Sequence, residues 1–246
     1  MSRAFEELAH VSTEMGDISL RRRLEPTLKV DVYEVKLGDE FLMSSLFTVG
    51  EVALAELGMA AVEGEQLDIV VGGLGLGYTA GAALTDERIR SLRVIDALAE
   101  VIEWHRRHLV PLGAELTSDP RCELVHGDFF AMLNAGLETT EDGEPRRFDA
   151  ILVDIDHTPR HLLNPSHAGF YEPAGLRRLT EQLRPAGVFG LWSDDPPDDD
   201  FLALLFDEFA HVHAHVVTFP NFYTGGHASS TIYVAVTPET PASPDT

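Results

Sequence analysis

Short apolar runs recur along most of the chain and alternate with segments whose apolar residues have helical spacing. In one such segment Leu98, Val101 and Ile102 fall on a single helix face. This alternation predicts an α/β fold with a doubly wound, mostly parallel sheet. The last two runs are joined without a helix, so they should pair antiparallel. The seven predicted strands cover residues 67–71, 92–95, 121–125, 148–153, 186–192, 211–219 and 231–236.

A different pattern precedes this alternation. After a polar lead-in, the chain shows short strand-like runs with a hairpin turn at 36–39, located at 18–23, 29–37 and 40–43. We expect a small N-terminal β appendage over 1–49, with the three arginines at 21–23 on an exposed edge strand. The Rossmann-like domain should span 50–238. The Pro-rich, acidic tail 239–246 is expected to be disordered.

Composition and charge narrow the possible partners. The chain has 246 residues, 44% of them hydrophobic, which is enough for one large core with an appendage. A formal net charge of -23 argues against binding to nucleic acid or to an anionic membrane, because both require basic surface. No apolar stretch approaches a membrane span, and the single Cys122 excludes a disulfide framework. We therefore expect a cytoplasmic protein acting on a small cationic or neutral molecule.

The segment 67–80 carries the strongest chemical signal. A short apolar run ends in four glycines, Gly72, Gly73, Gly75 and Gly77, and then passes into a helix-like stretch. A strand, a tight glycine turn and a helix start let the backbone approach a nucleotide closely. The sequence therefore predicts a cofactor that contains adenosine. The spacing Gly75-x-Gly77-x-x-Ala80 also keeps a nicotinamide dinucleotide open.

Acidic residues follow four of the predicted strands, where ligands bind in open α/β sheets. Asp96 lies about 20 residues after the glycine turn, where an acid can accept hydrogen bonds from both ribose hydroxyls. Asp128 could accept the adenine amine while Phe129 or Phe130 packs on the ring, and Asp154 would lie beside the reacting end. One glycine turn with these acids suits a single adenosyl group better than two joined nucleotides.

Two further hypotheses remain open at this point. Asp154, Asp194 and Asp195 end adjacent strands and could hold Mg²⁺ through hard oxygen ligands, although the leading interpretation includes no metal. The fold could also bind a nucleoside as a structural or regulatory element without catalysis. A candidate base at Asp154 favours an enzyme over that alternative.

Several motifs together resemble the spermidine synthase-like branch of class I S-adenosylmethionine-dependent transferases. They are the glycine turn and the segments at 94–104, 125–128, 148–154 and 183–188. The N-terminal β piece and the segment 219–225 also resemble that branch. The resemblance implies that Asp96 binds ribose, that Asp128 binds adenine and that Asp154 faces the acceptor amine.

The chain departs from this branch at its amine-binding positions. Aminopropyltransferases carry an Asp in the glycine turn where this chain has Gly75, and their second polyamine-anchoring Asp is replaced by His157. The substrate-side Gln appears as Met43, and a Tyr-His pair appears as Val52-Ala53. An Asp at position 75 would repel an intact methionine carboxylate, so its absence favours S-adenosylmethionine as the cofactor.

The leading hypothesis is therefore a methyltransferase acting on a small amine or hydroxyl acceptor. Asp154 is the favoured base, His157 is a second candidate, and Tyr223 could supply an aromatic wall. The loop 157–171, with its histidines at 161 and 167, would close over the acceptor. The alternative is a polyamine aminopropyltransferase that uses decarboxylated S-adenosylmethionine. The exposed edges of the β appendage are compatible with a homodimer.

Overall fold

A computed structural model describes residues 5–13, 15–139, 143 and 145–239. Its N-terminal part is a four-stranded antiparallel sheet in chain order. The strands are β1 (Phe5–Thr13), β2 (Gly16–Glu25), β3 (Val30–Leu37) and β4 (Glu40–Ser44). This sheet agrees with the expected β appendage, and its last strand leads directly into the first helix.

Strand β1 corrects the expectation of a polar lead-in. The side chains of β1 are exposed or half-buried without regular alternation, so the strand lacks the period-two pattern by which a sequence reveals a strand. It is aligned with β2 partly by charge, since Glu6 and Glu7 lie opposite Arg22 and Arg21. Because β1 covers β2 on one side and β3 covers it on the other, the arginines do not lie on an edge strand, contrary to expectation.

The main sheet has seven strands in the order β10-β11-β9-β8-β5-β6-β7. Strands β5 to β9 run parallel, and β11 lies antiparallel between β9 and β10, which confirms the predicted fold class. The order reverses next to β5, so β5 is flanked by β6 and β8. Their bounds are β5 (Leu67–Gly72), β6 (Ile89–Asp96), β7 (Cys122–His126), β8 (Phe148–Val153), β9 (Leu183–Ser193), β10 (His211–Asn221) and β11 (Gly226–Val236).

Helices cover both faces of this sheet, so the fold is doubly wound. Helices α1 to α4 contribute to one apolar cluster, which also takes residues from the N-terminal sheet. Helices α5 to α7 and a 3₁₀ helix (Pro165–Phe170) contribute to the cluster on the opposite face. The bounds are α1 (Val49–Ala61), α2 (Tyr78–Leu84), α3 (Ala99–Arg106), α4 (Gly113–Ser118), α5 (Phe129–Ala135), α6 (Pro173–Glu181) and α7 (Asp199–Glu208).

Within the part of the chain that the structure describes, no helix is long and apolar enough to cross a membrane. The predicted tail 239–246 lies outside the described residues apart from Glu239.

Candidate active site

The glycine turn has a geometry that side chains would obstruct. Strand β5 ends at Gly72, and Gly73, Gly75 and Gly77 follow with φ angles of +94°, +49° and +92°. A Cβ atom at Gly73 would lie 2.1 Å from the carbonyl oxygen of Asp154, closer than real Cβ contacts come. The turn therefore requires glycine, and it leaves its backbone open to a cavity at the carboxyl end of the sheet.

Asp96 is directed back toward this turn. Its Oδ2 accepts a hydrogen bond from the Leu74 amide at 2.9 Å, and its Oδ1 accepts one from Leu98 at 2.8 Å. Burial raises the pKa of Asp96, although these backbone hydrogen bonds oppose the shift. The carboxylate lines the cavity beside the turn, where the sequence analysis expects the ribose.

Asp128 and Phe129 begin helix α5 on the other side of the same cavity. Asp128 caps this helix, since its Oδ1 accepts hydrogen bonds from the Phe130 and Ala131 amides. Phe129 is 2% exposed, and its ring packs where a Cβ at Gly72 would stand. Asp128 therefore stabilises the start of α5, and Phe129 packs against β5. Their contacts with adenine remain predictions.

His105 supports the turn from behind, and the sequence analysis did not single it out. The imidazole is fully buried, and its Nε2 lies 2.9 Å from the carbonyl oxygen of Gly75. A carbonyl can only accept, so Nε2 carries the proton in this contact. Burial lowers the pKa of His105, which keeps the ring neutral. Its spacing from Val101 and Ile102 places it on the buried stripe of α3 and could have marked it.

A pair of carboxyl groups lies at the reacting end of the site. Asp154 follows β8, and its Oδ2 accepts a hydrogen bond from the Thr79 hydroxyl at 2.8 Å. Glu51, in the first turn of α1, has its pKa raised to about 8 by burial and by the charge of Asp154. Burial raises the pKa of Asp154 to about 6. At neutral pH the pair therefore keeps a proton that ordinary carboxylates would release.

Glu51 was missed by the sequence analysis because its position has a common alternative explanation. An acidic residue in the first turn of a helix is typical of favourable interaction with the helix dipole. Only the packing of α1 against the sheet reveals that this carboxyl group shares a cavity with Asp154.

Two cavities adjoin at Asp154. The first, of about 280 Å³, lies between the glycine turn, Asp96 and the start of α5, and we call it the adenosyl cavity. The second, of about 290 Å³, lies beneath strand β4 and the start of α1, and we call it the acceptor cavity. Asp154, Gly75 and Met43 line both. A two-part ligand or two reacting molecules could therefore meet at Asp154.

Of the two remaining catalytic candidates, one lines the acceptor cavity and the other lies outside both cavities. His157 lines the acceptor cavity, and its Nε2 lies 3.1 Å from Glu40 Oε1. Tyr223 is not among the residues lining either cavity, so the predicted aromatic wall is formed by other residues. Its ring is exposed on the turn between β10 and β11, and it contacts Phe47, which does line the acceptor cavity.

The loop 157–171, which we expect to act as a lid, is anchored by the buried carboxylate of Asp156. Asp156 is 1% exposed and lies 2.8 Å from His167 Nδ1 through its Oδ1. Its Oδ2 accepts a hydrogen bond from the Tyr171 hydroxyl at 3.0 Å. Asp156 also accepts one from the Leu163 amide, so it fixes the loop and does not face the acceptor cavity.

The metal hypothesis finds no support in this geometry. Among the described residues, no group of three or more His, Cys, Asp or Glu side chains is arranged to hold a metal ion. Asp194 and Asp195 lie outside the linings of the acceptor and adenosyl cavities, and Asp195 lines a separate surface depression with Arg160. The three acids therefore do not converge as the sequence analysis allowed.

The structure thus combines a doubly wound α/β sheet with two cavities that share Asp154 at the carboxyl ends of the strands. No protein-family model matches the chain. Among curated proteins it is 29% identical over 168 residues to polyamine aminopropyltransferase 2 of Pseudomonas aeruginosa, covering 64% of this chain and 44% of that protein. It is 30% identical over 128 residues to the polyamine aminopropyltransferase of Prochlorococcus marinus, covering 52% and 40%. These matches span less than half the length of either relative.

Solved structures are similar across nearly the whole chain. A spermidine synthase from Thermotoga maritima gives a TM-score of 0.71 at 16% identity and covers 96% of this chain and 74% of that one. A spermidine synthase in complex with the transition-state analogue AdoDATO gives 0.70 at 17% identity and covers 96% and 75%. The chain therefore has a spermidine synthase-like fold, as its motifs suggested.

Proposed function

We propose that the chain is a transferase that moves the aminopropyl group of decarboxylated S-adenosylmethionine onto an amine. The observation that carries this proposal is the carboxyl pair of Glu51 and Asp154 in the acceptor cavity, of which Asp154 also lines the adenosyl cavity. Such a pair attracts a protonated amine and can accept its proton. The names of the curated relatives support this alternative of the sequence analysis better than its methyltransferase hypothesis.

The residues around the adenosyl cavity fit a sulfonium nucleoside. The glycine turn forms a cradle that Cβ atoms would fill, and the Asp96 carboxylate lies beside it. Asp96 would hold the ribose and Asp128 the adenine amine. When bound, the cofactor supplies an electrophilic carbon next to sulfur and a neutral thioether as leaving group.

The chain's own residues then have three tasks. Asp154 and Glu51 bind the acceptor ammonium and take one proton from it, which frees the nitrogen lone pair. As the C–N bond forms, the C–S bond breaks and its electron pair stays on sulfur, so methylthioadenosine leaves without needing an acid. The loop 157–171 assists the transfer further, because it holds the acceptor in position and excludes water.

Methyl transfer from intact S-adenosylmethionine is the second candidate, and Gly75 is the observation that favours it. The position holds no carboxylate to repel the methionine carboxylate, and a Cβ there would lie 2.7 Å from Met43 Sδ. The turn thus lacks the acidic side chain by which aminopropyltransferases favour the decarboxylated cofactor.

One experiment separates these candidates. The full chain is incubated with a primary amine panel and either cofactor, and the products are identified by mass spectrometry. An aminopropylated amine formed only with the decarboxylated cofactor supports the proposal. A methylated amine formed only with S-adenosylmethionine overturns it in favour of methyl transfer. Calorimetric binding of both cofactors without any product overturns it in favour of a non-catalytic nucleoside-binding role.

A further inference from the structure

The acceptor cavity contains one pair of acidic side chains, Glu51 and Asp154, which we call its acidic pole. Among the described residues that line it, Glu51 and Asp154 are the only carboxylates, and Asp154 lies against the glycine turn. His157, near the rim, is paired with Glu40, which does not line the cavity. One cation is therefore matched by acidic groups, and a second cation on the same molecule would find none inside the cavity.

The rest of the acceptor cavity is mostly apolar and aromatic, with uncharged hydroxyl groups from Ser44 and Tyr78 and the imidazole of His157 adding polar atoms. Leu42, Met43 and Leu163 contribute aliphatic or thioether surface, while the rings of Phe41, Phe47 and Trp192 form much of the wall. Aromatic faces attract a nearby ammonium and pack well against hydrocarbon. A second ammonium placed among these side chains would lose its hydration and meet no carboxylate, and ring faces and neutral hydroxyl groups would offset only part of that cost.

We propose that the acceptor is a primary monoamine with an apolar alkyl or aryl substituent, held by Glu51 and Asp154 at its ammonium end. This inference rests on the proposed transfer to an amine and narrows its substrate class. It makes Glu51 a specificity-determining residue, because α1 supplies half of the acidic pole. Among the described residues, the cavity wall has no second anionic group, which a polyamine would need for its other ammonium.

The test measures binding, so it does not depend on transfer. The full chain is saturated with methylthioadenosine, and hexylamine is titrated against hexamethylenediamine, which has the same length with an ammonium at each end. We expect hexylamine to bind at least about tenfold more tightly. Equal or tighter binding of the diamine, or no binding of either amine, would overturn the inference. Absence of any aminopropylated product alongside tight hexylamine binding would instead count against the proposed function alone.

Two variants locate the acidic pole. At about pH 9, where the Glu51 carboxyl group is ionised and hexylamine is still protonated, Glu51→Gln should weaken hexylamine binding about tenfold or more while leaving methylthioadenosine affinity unchanged. Glu56→Gln is the matched control, since Glu56 is exposed on the same helix and does not line the cavity. Hexylamine affinity unaffected by Glu51→Gln would contradict the assignment of Glu51. A normal unfolding transition of both variants ensures that the comparison concerns folded protein.

Discussion

The buried imidazole of His105 donates a hydrogen bond from Nε2 to the carbonyl oxygen of Gly75, 2.9 Å away. This contact ties helix α3 to the middle of the glycine turn. A Cβ at Gly77 would also meet the ring, at 2.9 Å from His105 Cε1, so the imidazole fills the space that the turn leaves behind it. His105 is a positioning residue for the nucleoside cradle, because it contacts the turn and does not line the adenosyl cavity.

Replacing His105 should therefore weaken cofactor binding. We expect His105→Ala to lower methylthioadenosine affinity about tenfold and to reduce the free energy of unfolding by about 2 to 4 kcal/mol, because a packed ring and its hydrogen bond are lost. Calorimetry and denaturant unfolding measure the two effects. Glu103→Ala, exposed on the same helix, is the control. Unchanged nucleoside affinity in the alanine variant would contradict the positioning role.

Asp154 should be required for turnover and dispensable for nucleoside affinity. Asp154→Asn keeps the shape of the side chain and removes its ability to accept a proton, so we expect a loss of at least about a hundredfold in kcat. Methylthioadenosine affinity should change little. Asp194→Asn serves as the control at a neighbouring strand end outside both cavities. An active Asp154→Asn enzyme would place the base elsewhere.

The Glu51 carboxyl group should make stability depend on pH. Its pKa is raised to about 8 in the fold, while the unfolded chain has the ordinary value of 4.5. Below pH 4.5 both states hold the proton. Between these two values the unfolded state has lost the proton and the folded state keeps it, so stability falls as pH rises through this window.

Glu51→Gln removes this dependence. We expect the variant to be about 1 to 3 kcal/mol more stable than the parent at pH 8 and nearly equal to it at pH 5. Urea unfolding at the two pH values measures the difference. A variant that is destabilised more at pH 8 than at pH 5 would show that the ionised carboxylate has a stabilising partner.

Gly75 should control the choice between the two forms of the cofactor. Gly75→Asp adds a carboxylate at a left-handed position that Asp tolerates better than most residues. We expect it to lower S-adenosylmethionine affinity about tenfold relative to the decarboxylated form. Gly75→Ala makes the same contact with Met43 without the charge, so it separates steric from electrostatic effects. If Gly75→Asp lowers the affinity for both cofactor forms equally, the effect of the substitution is steric and the charge does not select between them.

Sequence pattern predicted the parts of the protein whose residues act locally. The strands of the main sheet carry clear apolar runs, and the glycine turn with Asp96 and Asp154 has a spacing set by one strand-turn-helix unit. Strand β1 was not predicted because it has no buried face to produce an alternating pattern. Charge pairs with β2 help to align it instead. Glu51 and Tyr223 depend on how distant segments pack, which short-range patterns do not encode.

Met43 connects two parts of the chain that the sequence pattern separates. This side chain comes from strand β4, yet it rests on the glycine turn and lines both cavities, and Phe41 on the same strand lines the acceptor cavity. Strand β4 of the N-terminal sheet thus forms part of the wall of both cavities. Substitutions at Phe41 or Met43 should therefore change which molecules the acceptor cavity admits while leaving the strands of the main sheet untouched.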